Sequence, residues 1–268
     1  MITSASNEQI KQIIQLKEKS KVRKQKNQFV VEGIKMFSEI PDDQLVATYV
    51  SESFAEENKY AFKGENFELV SDSVFKKISD TVTPQGIMAI VEKNAYTLDD
   101  IIENVNNNIT QKGRSCVVVL DRLQDPGNLG TIVRTGEGAG ISGIIMSSGC
   151  ADIYNPKVIR STMGSIFRVP FTVVSDLPEA IETLKENSIT TYAAHLKGEE
   201  YNKGVFEKNV ALLIGNEAKG LSDEVSGKAD RLIKIPMEGK VESLNAAIAT
   251  AILMYQCRDV KLFCIDGN

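Results

Sequence analysis

Between residues 117 and 235 six short apolar runs recur, VVVL (117–120), IIMS (144–147), FTVV (171–174), TTYAA (190–194), VALLI (210–214) and LIKI (232–235), with helical patterns in the gaps. Strands joined through helices run parallel, and a parallel sheet must be covered on both faces. The expected fold is therefore α/β, with ligands beyond the carboxyl ends of the strands. One intervening helix opens at Asp176, with Pro178 and Glu179 in its first turn.

The first third reads as a smaller α/β domain. Ser6 with Gln9 resembles a capping box, and Ile10, Ile13, Ile14 and Leu16 follow at helical spacing. Then come FVVEG (29–33), a helical GIKMFSEI, extended VATYVS and FELV, a helix from Asp72 through Ile78, and IMAIVE (87–92). The asparagine-rich stretch that follows has few large apolar residues and is taken as a linker. The expected division is 1–95, a linker at 96–113, and 114–268.

The chain carries a net charge of −5, which taken alone disfavours nucleic acid. Its distribution reads differently. Lys11, Lys17, Lys19, Lys21, Arg23, Lys24 and Lys26 stand against Glu18 alone, so this segment carries +6 and the remainder −11. A basic arm on an acidic body can still contact phosphates, although a solvated helix end gives the same pattern. Cys116, Cys150, Cys257 and Cys264 include no C-x-x-C pair and His195 is the only histidine, so no zinc site is expected and the cysteines read as small apolar side chains. Nothing near His195 resembles a nucleophile elbow. The longest strongly apolar segment, Ala246 to Tyr255, is about half a membrane span. A cytoplasmic protein without a membrane partner is expected.

GAGISG (138–143) fits the dinucleotide pattern G-x-G-x-x-G, which needs a strand before it and a helix after it. Here the helical stretch Leu129 to Gly136 comes before and the strand after, and no Asp or Glu occurs between Ile153 and Ser175 to hold a ribose. These glycines are expected to end a helix and to let it pack closely on the sheet, which leaves an NAD-dependent oxidoreductase as a distant reading.

Three loops at strand ends hold most of the unusual residues. In DRLQDPGNLGTIVRTGEGAG (121–140), Pro126 and Gly127 turn the chain and Asn128 starts a helix carrying Arg134. Arg134 has no apolar cover, so it points either into a site or to a surface ion pair with Glu137. In VALLIGNEAKGLSDEV (210–225), Gly215 and Gly220 let backbone approach a flat ligand, with Glu217 at the rim. In LIKIPMEGKVESLNAAIATAILMYQ (232–256), Ser243 caps a helix that is apolar nearly all round, for which a second subunit is the natural cover.

Taken in order, N-x-G-x-x-x-R (Asn128, Gly130, Arg134), I-G-N-E-x-x-G-L (Ile214 to Leu221) and I-P-M…S-L-N-A (Ile235 to Met237, Ser243 to Ala246) resemble the SpoU, or TrmH-like, RNA ribose 2′-O-methyltransferases. The likeness is strong over 114–257, and DIYNPKVIRSTMGSIFRVPF (152–171) is similar to the family segment between the first two motifs. QFVVEGIKMFSEI (28–40) and VTPQGIMAIVE (82–92) resemble more weakly the L30e-like substrate-binding domain that many members carry in front.

The resemblance implies a parallel-sheet methyltransferase domain with a deep trefoil knot, S-adenosylmethionine as cofactor, a homodimer and an RNA substrate; the separate front domain and the basic arm favour a large structured RNA, ribosomal rather than transfer RNA. It implies Arg134, Asn128, Glu217, Ser243 and Asn245 as the catalytic set, with Gly215, Ile235 and Leu244 at the cofactor and Leu196 and Met237 as apolar neighbours. No metal is implied, since a sulfonium is already activated. From another class, a noncatalytic RNA-binding or ribosome-assembly protein on the same fold has little use for all five polar residues.

Overall fold

The computed structural model describes residues 1–58, 66–107, 114–204 and 206–258. They form two units, one of Met1–Asn94 with Asp152–Phe167, the other of Ala95–Ala151 with the chain from Arg168 onward.

In the first unit Ile10, Ile13 and Leu16, on one face of the helix Glu8–Glu18, are fully buried against Phe75, Met88 and Ile90. Asn7 caps that helix, accepting from Gln9 N at 2.8 Å. The expected capping box does not form, because the Ser6 hydroxyl pairs with Ser4 Oγ at 2.7 Å instead. The sheet contains β1 (Gln28–Glu32), β2 (Leu45–Ser51), β3 (Glu68–Val70) and β4 (Ile87–Glu92), in the order β1-β4-β2-β3. β4 runs antiparallel to β1 and β2, whereas β2 and β3 are parallel.

Two cations of the basic segment turn inward. Arg23, on the helix Ser20–Lys26, is only 3% exposed; it pairs with Asp152 at 2.6 Å and donates to the Leu16 and Lys17 carbonyls. Lys17 sits between Glu32 and Asp80. A buried guanidinium is stable only with a counterion and its other donors filled, and this arrangement supplies both. Residues 152–167, which the motif order grouped with the second domain, pack in the first unit: the Tyr154 ring lies tilted against Phe29, centroids 4.8 Å apart, and Arg160 reaches Asp80.

The second unit is a six-stranded sheet of β5 (Ser115–Leu120), β6 (Gly143–Ser147), β7 (Phe171–Val174), β8 (Thr190–Glu200), β9 (Asn209–Ile214) and β10 (Arg231–Lys234), in the order β10-β8-β9-β5-β6-β7. Every neighbouring pair is parallel, and Val117 to Leu120 are fully buried, as cover on both faces requires.

Part of the expected linker is instead a helix, Leu98–Asn107, whose Ile101, Ile102 and Val105 enter the core of this sheet. Thr97 and Asp100 start it with reciprocal hydrogen bonds. The asparagines that suggested a linker line its solvent side and tail, so composition hid a short apolar stripe; residues 108–113 and Cys264 lie outside the described residues. Gly143 permits the close approach, since a β-carbon there would lie 3.0 Å from Ile101 Cγ2.

The helix that carries Arg134 spans Pro126–Ala139 and ends at Gly140 in the left-handed conformation, φ +67°. The glycines of GAGISG thus close a helix ahead of a strand. The helix also starts earlier than expected: Asp125 is the cap, accepting from Asn128 N at 2.7 Å, and Asn128 stands in the first turn.

Candidate active site

Three chain segments meet beyond the carboxyl ends of β5, β9 and β10. The anchor is Asp121, the residue after β5, a polar side chain only 4% exposed. Its Oδ2 accepts from Ser222 N at 2.9 Å and from the Ser222 hydroxyl at 2.8 Å, and its Oδ1 accepts from Arg122 Nε at 3.0 Å. Arg122 adopts φ +53°, unusual for a side-chain-bearing residue. That conformation is held by Ser147 Oγ on its N–H and Asn216 Nδ2 on its carbonyl. The loop Gly215–Leu221 is thereby fastened at both ends to the turn after β5. Asn216 Oδ1 also accepts from Ala218 N and Lys219 N, which folds the loop on itself.

Glu217 projects from that loop toward the start of the Pro126–Ala139 helix. Its Oε1 accepts from Asp125 N at 2.9 Å and Asn128 Nδ2 at 3.1 Å, and its Oε2 from Gln124 N at 3.2 Å. Partial burial works against the charge, but these donors outweigh it and hold the carboxyl below its ordinary range. Asn245 Nδ2 in turn donates to Asn128 Oδ1 at 2.8 Å, so Asn245, Asn128 and Glu217 form one hydrogen-bonded chain. Asn245 Oδ1 accepts from Ala247 N and Ile248 N, which makes it the cap of the helix Ala246–Arg258; Ser243, expected in that role, is exposed at the rim.

Arg134 stands apart from this chain. It is exposed and makes no hydrogen bond or ion pair among the described residues, and the alternative partner Glu137 is held by Arg168. The surface pairing weighed from the sequence is therefore absent, while the side chain remains available to a ligand.

Beside the chain lies a cavity of about 540 Å³, lined by Leu196, Gly215, Ile235, Met237 and Leu244, with Glu217 and Ser243 also on its wall. One wall arises from a slip in β8, where Leu232 pairs with Ala193 but Ile233 pairs with Glu199, so residues 194–198 bulge from the ladder. Gly198 makes this possible, since a β-carbon there would lie 2.4 Å from Ile233 N. The bulge presents Leu196, 72% exposed, at the cavity. Apolar side chains with bare backbone at Gly215 fit a flat heteroaromatic ligand such as adenosine.

The three motif loops, with Leu196 from the β8 bulge, therefore bring together all the expected residues except Arg134, which sits two turns along its helix. Sequence reasoning passed over Asp121, Ser222 and Asp125, and named Asn216 only as a member of its loop. An acid directly after a buried strand, and a serine before Asp223 and Glu224, were the available signals.

Comparison with known proteins now decides the family. The model of the SpoU rRNA Methylase family matches residues 115–255, and that of an MRM3-like substrate binding domain matches residues 7–89. The chain belongs to the SpoU rRNA methylase family. It is 31% identical over 259 residues, 96% of this chain and 98% of the relative, to the 23S rRNA (guanosine(2553)-2′-O)-methyltransferase RlmP of Bacillus subtilis (strain 168). Among solved structures it resembles the AdoMet-bound rRNA methyltransferase from Sinorhizobium meliloti, with TM-score 0.77, 31% identity and 96% of each chain covered. It also resembles the SpoU methyltransferase AviRb from Streptomyces viridochromogenes in complex with AdoMet, with TM-score 0.81, 25% identity, and 94% and 97% of the two chains covered. This SpoU methylase is an RNA methyltransferase that uses S-adenosylmethionine, and the noncatalytic reading is not favoured. Among its described residues no helix is long and apolar enough to cross a membrane.

Proposed function

We propose that this chain methylates a ribose 2′-hydroxyl in ribosomal RNA, in the cytoplasm and as a homodimer. The observation that carries the reading is the Asn245–Asn128–Glu217 chain, whose Glu217 lines the same cavity as Gly215. The cavity residues Leu196, Gly215, Ile235, Met237 and Leu244 would hold S-adenosylmethionine, which supplies an activated methyl group when bound.

A ribose hydroxyl is a poor nucleophile and must shed its proton as it attacks. A guanidinium is a poor base, so Arg134 acts by stabilising the developing alkoxide, or by steering the phosphate oxygen that takes the proton. Glu217 is a positioning residue: its oxygens are occupied by N–H donors and its basicity is low. It fixes Asn128, which with Asn245 and Ser243 orients the ribose. This reading includes a trefoil knot formed by the segments around the cavity and an L30e-like first unit, for which the small mixed sheet flanked by helices is suitable.

The test is methyl transfer from labelled S-adenosylmethionine to unmodified ribosomal and transfer RNA, followed by mapping of 2′-O-methyl positions. Label in a ribose of ribosomal RNA is expected. Label confined to bases, or to transfer RNA, would overturn the corresponding part of the reading.

A further inference from the structure

The cations of the basic segment have different fates in the first unit. Arg23 is buried, whereas Lys19, Lys21, Lys24 and Lys26 are exposed. Lys93, just after β4 and remote in sequence, joins them. Its N–H donates to the carbonyl of Asn27 at 2.9 Å, the residue that ends the helix Ser20–Lys26, so backbone fixes Lys93 beside that helix end. Its half-buried ammonium lies over the Tyr154 ring, 4.5 Å from the centroid.

Arg23 and Lys93 draw on the same acid, Asp152. Asp152 is committed to Arg23, through Nε at 3.0 Å and Nη2 at 2.6 Å. Neither Lys24 nor Lys93 makes an ion pair among the described residues, and the neighbouring Glu92 accepts from Asn27 Nδ2 at 3.5 Å. Burial lowers the Lys93 pKa; Asp152 opposes this and Arg23 and Lys24 add to it. The ammonium thus lies in surplus positive charge, with part of its water already removed.

We propose that Lys24 and Lys93 form a binding site for a phosphodiester of the RNA backbone, on a rigid floor of Arg23, Asp152 and Tyr154. The proposal rests on RNA being the substrate. Two ammonium groups recognise a phosphate as point charges, and the Tyr154 ring beneath Lys93 is buried and offers no face to a base. The site therefore adds affinity and register but no sequence selection.

The experiment measures binding of two probes, a short RNA duplex of arbitrary sequence and an unmodified ribosomal RNA transcript, across a salt series. Lys24→Ala and Lys93→Met should each weaken binding of both probes and reduce the salt slope by about one, and together by about two. Lys93→Arg should keep the slope, and so should Lys11→Ala, whose cation is paired with Glu8. Melting temperature and S-adenosylmethionine affinity serve as fold controls. An unchanged slope in folded Lys93→Met overturns the site; if that variant does not fold, an unchanged slope in Lys24→Ala does the same. Wild-type chain that binds both probes steeply but transfers no methyl group overturns the enzyme reading and leaves this site standing.

Discussion

Arg134 is the residue on which the proposed chemistry turns. It is exposed and unpartnered among the described residues, so its removal leaves no buried charge and no broken pair. Arg134→Ala should lower single-turnover methyl transfer by roughly a hundred- to a thousand-fold, the loss typical when a preorganised donor to an oxyanion is deleted. Melting temperature and cofactor affinity should stay near wild type, and Arg134→Lys should recover little because the planar fork is lost. Near-normal turnover would remove Arg134 from the mechanism. Glu217 behaves oppositely, as a structural anion. Its carboxyl sits below its ordinary value near 4.5, so the folded chain binds fewer protons than the unfolded one. The stabilisation it adds is complete above that value and is lost as pH falls through the depressed one. The melting-temperature gap between wild type and Glu217→Gln should therefore be open at about pH 7 and narrow as pH falls below that ordinary value. A gap independent of pH would contradict this.

At the scale of the element, the loop between β9 and the helix Asp223–Lys228 shows how a motif glycine works. From sequence alone, Gly215 is bare so that a ligand can approach, and a β-carbon would intrude on adenosine. The structure adds a prior constraint: that β-carbon would lie 2.1 Å from Gly220 C and from Leu221 N, inside the loop itself. Gly220 differs, with φ +68° and open space around its missing side chain. Gly215→Ala should thus displace the loop and lower stability by about 1 to 3 kcal/mol, with S-adenosylmethionine affinity falling in step. Gly220→Ala should cost about 1 to 2 kcal/mol of backbone strain and spare affinity more. Calorimetry on both variants checks this; equal affinities would show that the loop yields without consequence.

At the scale of the whole molecule, the helix Ala246–Arg258 is less completely covered than its composition suggested. Ala247, Leu253, Met254 and Cys257 are buried, but Ile248 and Tyr255, seven residues apart on one face, are about half exposed. An apolar face of this kind suits a second copy of the chain. The proposed homodimer should persist at micromolar concentration by light scattering, and Ile248→Glu should shift it to monomer without unfolding it. A wild-type monomer under the same conditions would rule this interface out.

Much of this was legible from residue order. A buried parallel strand is a local apolar run, and six such runs separated by helical periods leave one sheet type, so the α/β class and the strand set were readable from the sequence. So was the motif set, because each loop concentrates its special residues within about ten positions of a strand end. Three-dimensional proximity was not readable. That Asn245 reaches Asn128 across 117 positions, that Arg23 is spent on Asp152, that residues 98–107 belong to a core and that Lys93 joins the basic helix all depend on pairings between distant segments. A charge or an asparagine looks the same in sequence whether solvent or a remote partner satisfies it, and only the packed chain decides which partner is within hydrogen-bonding distance.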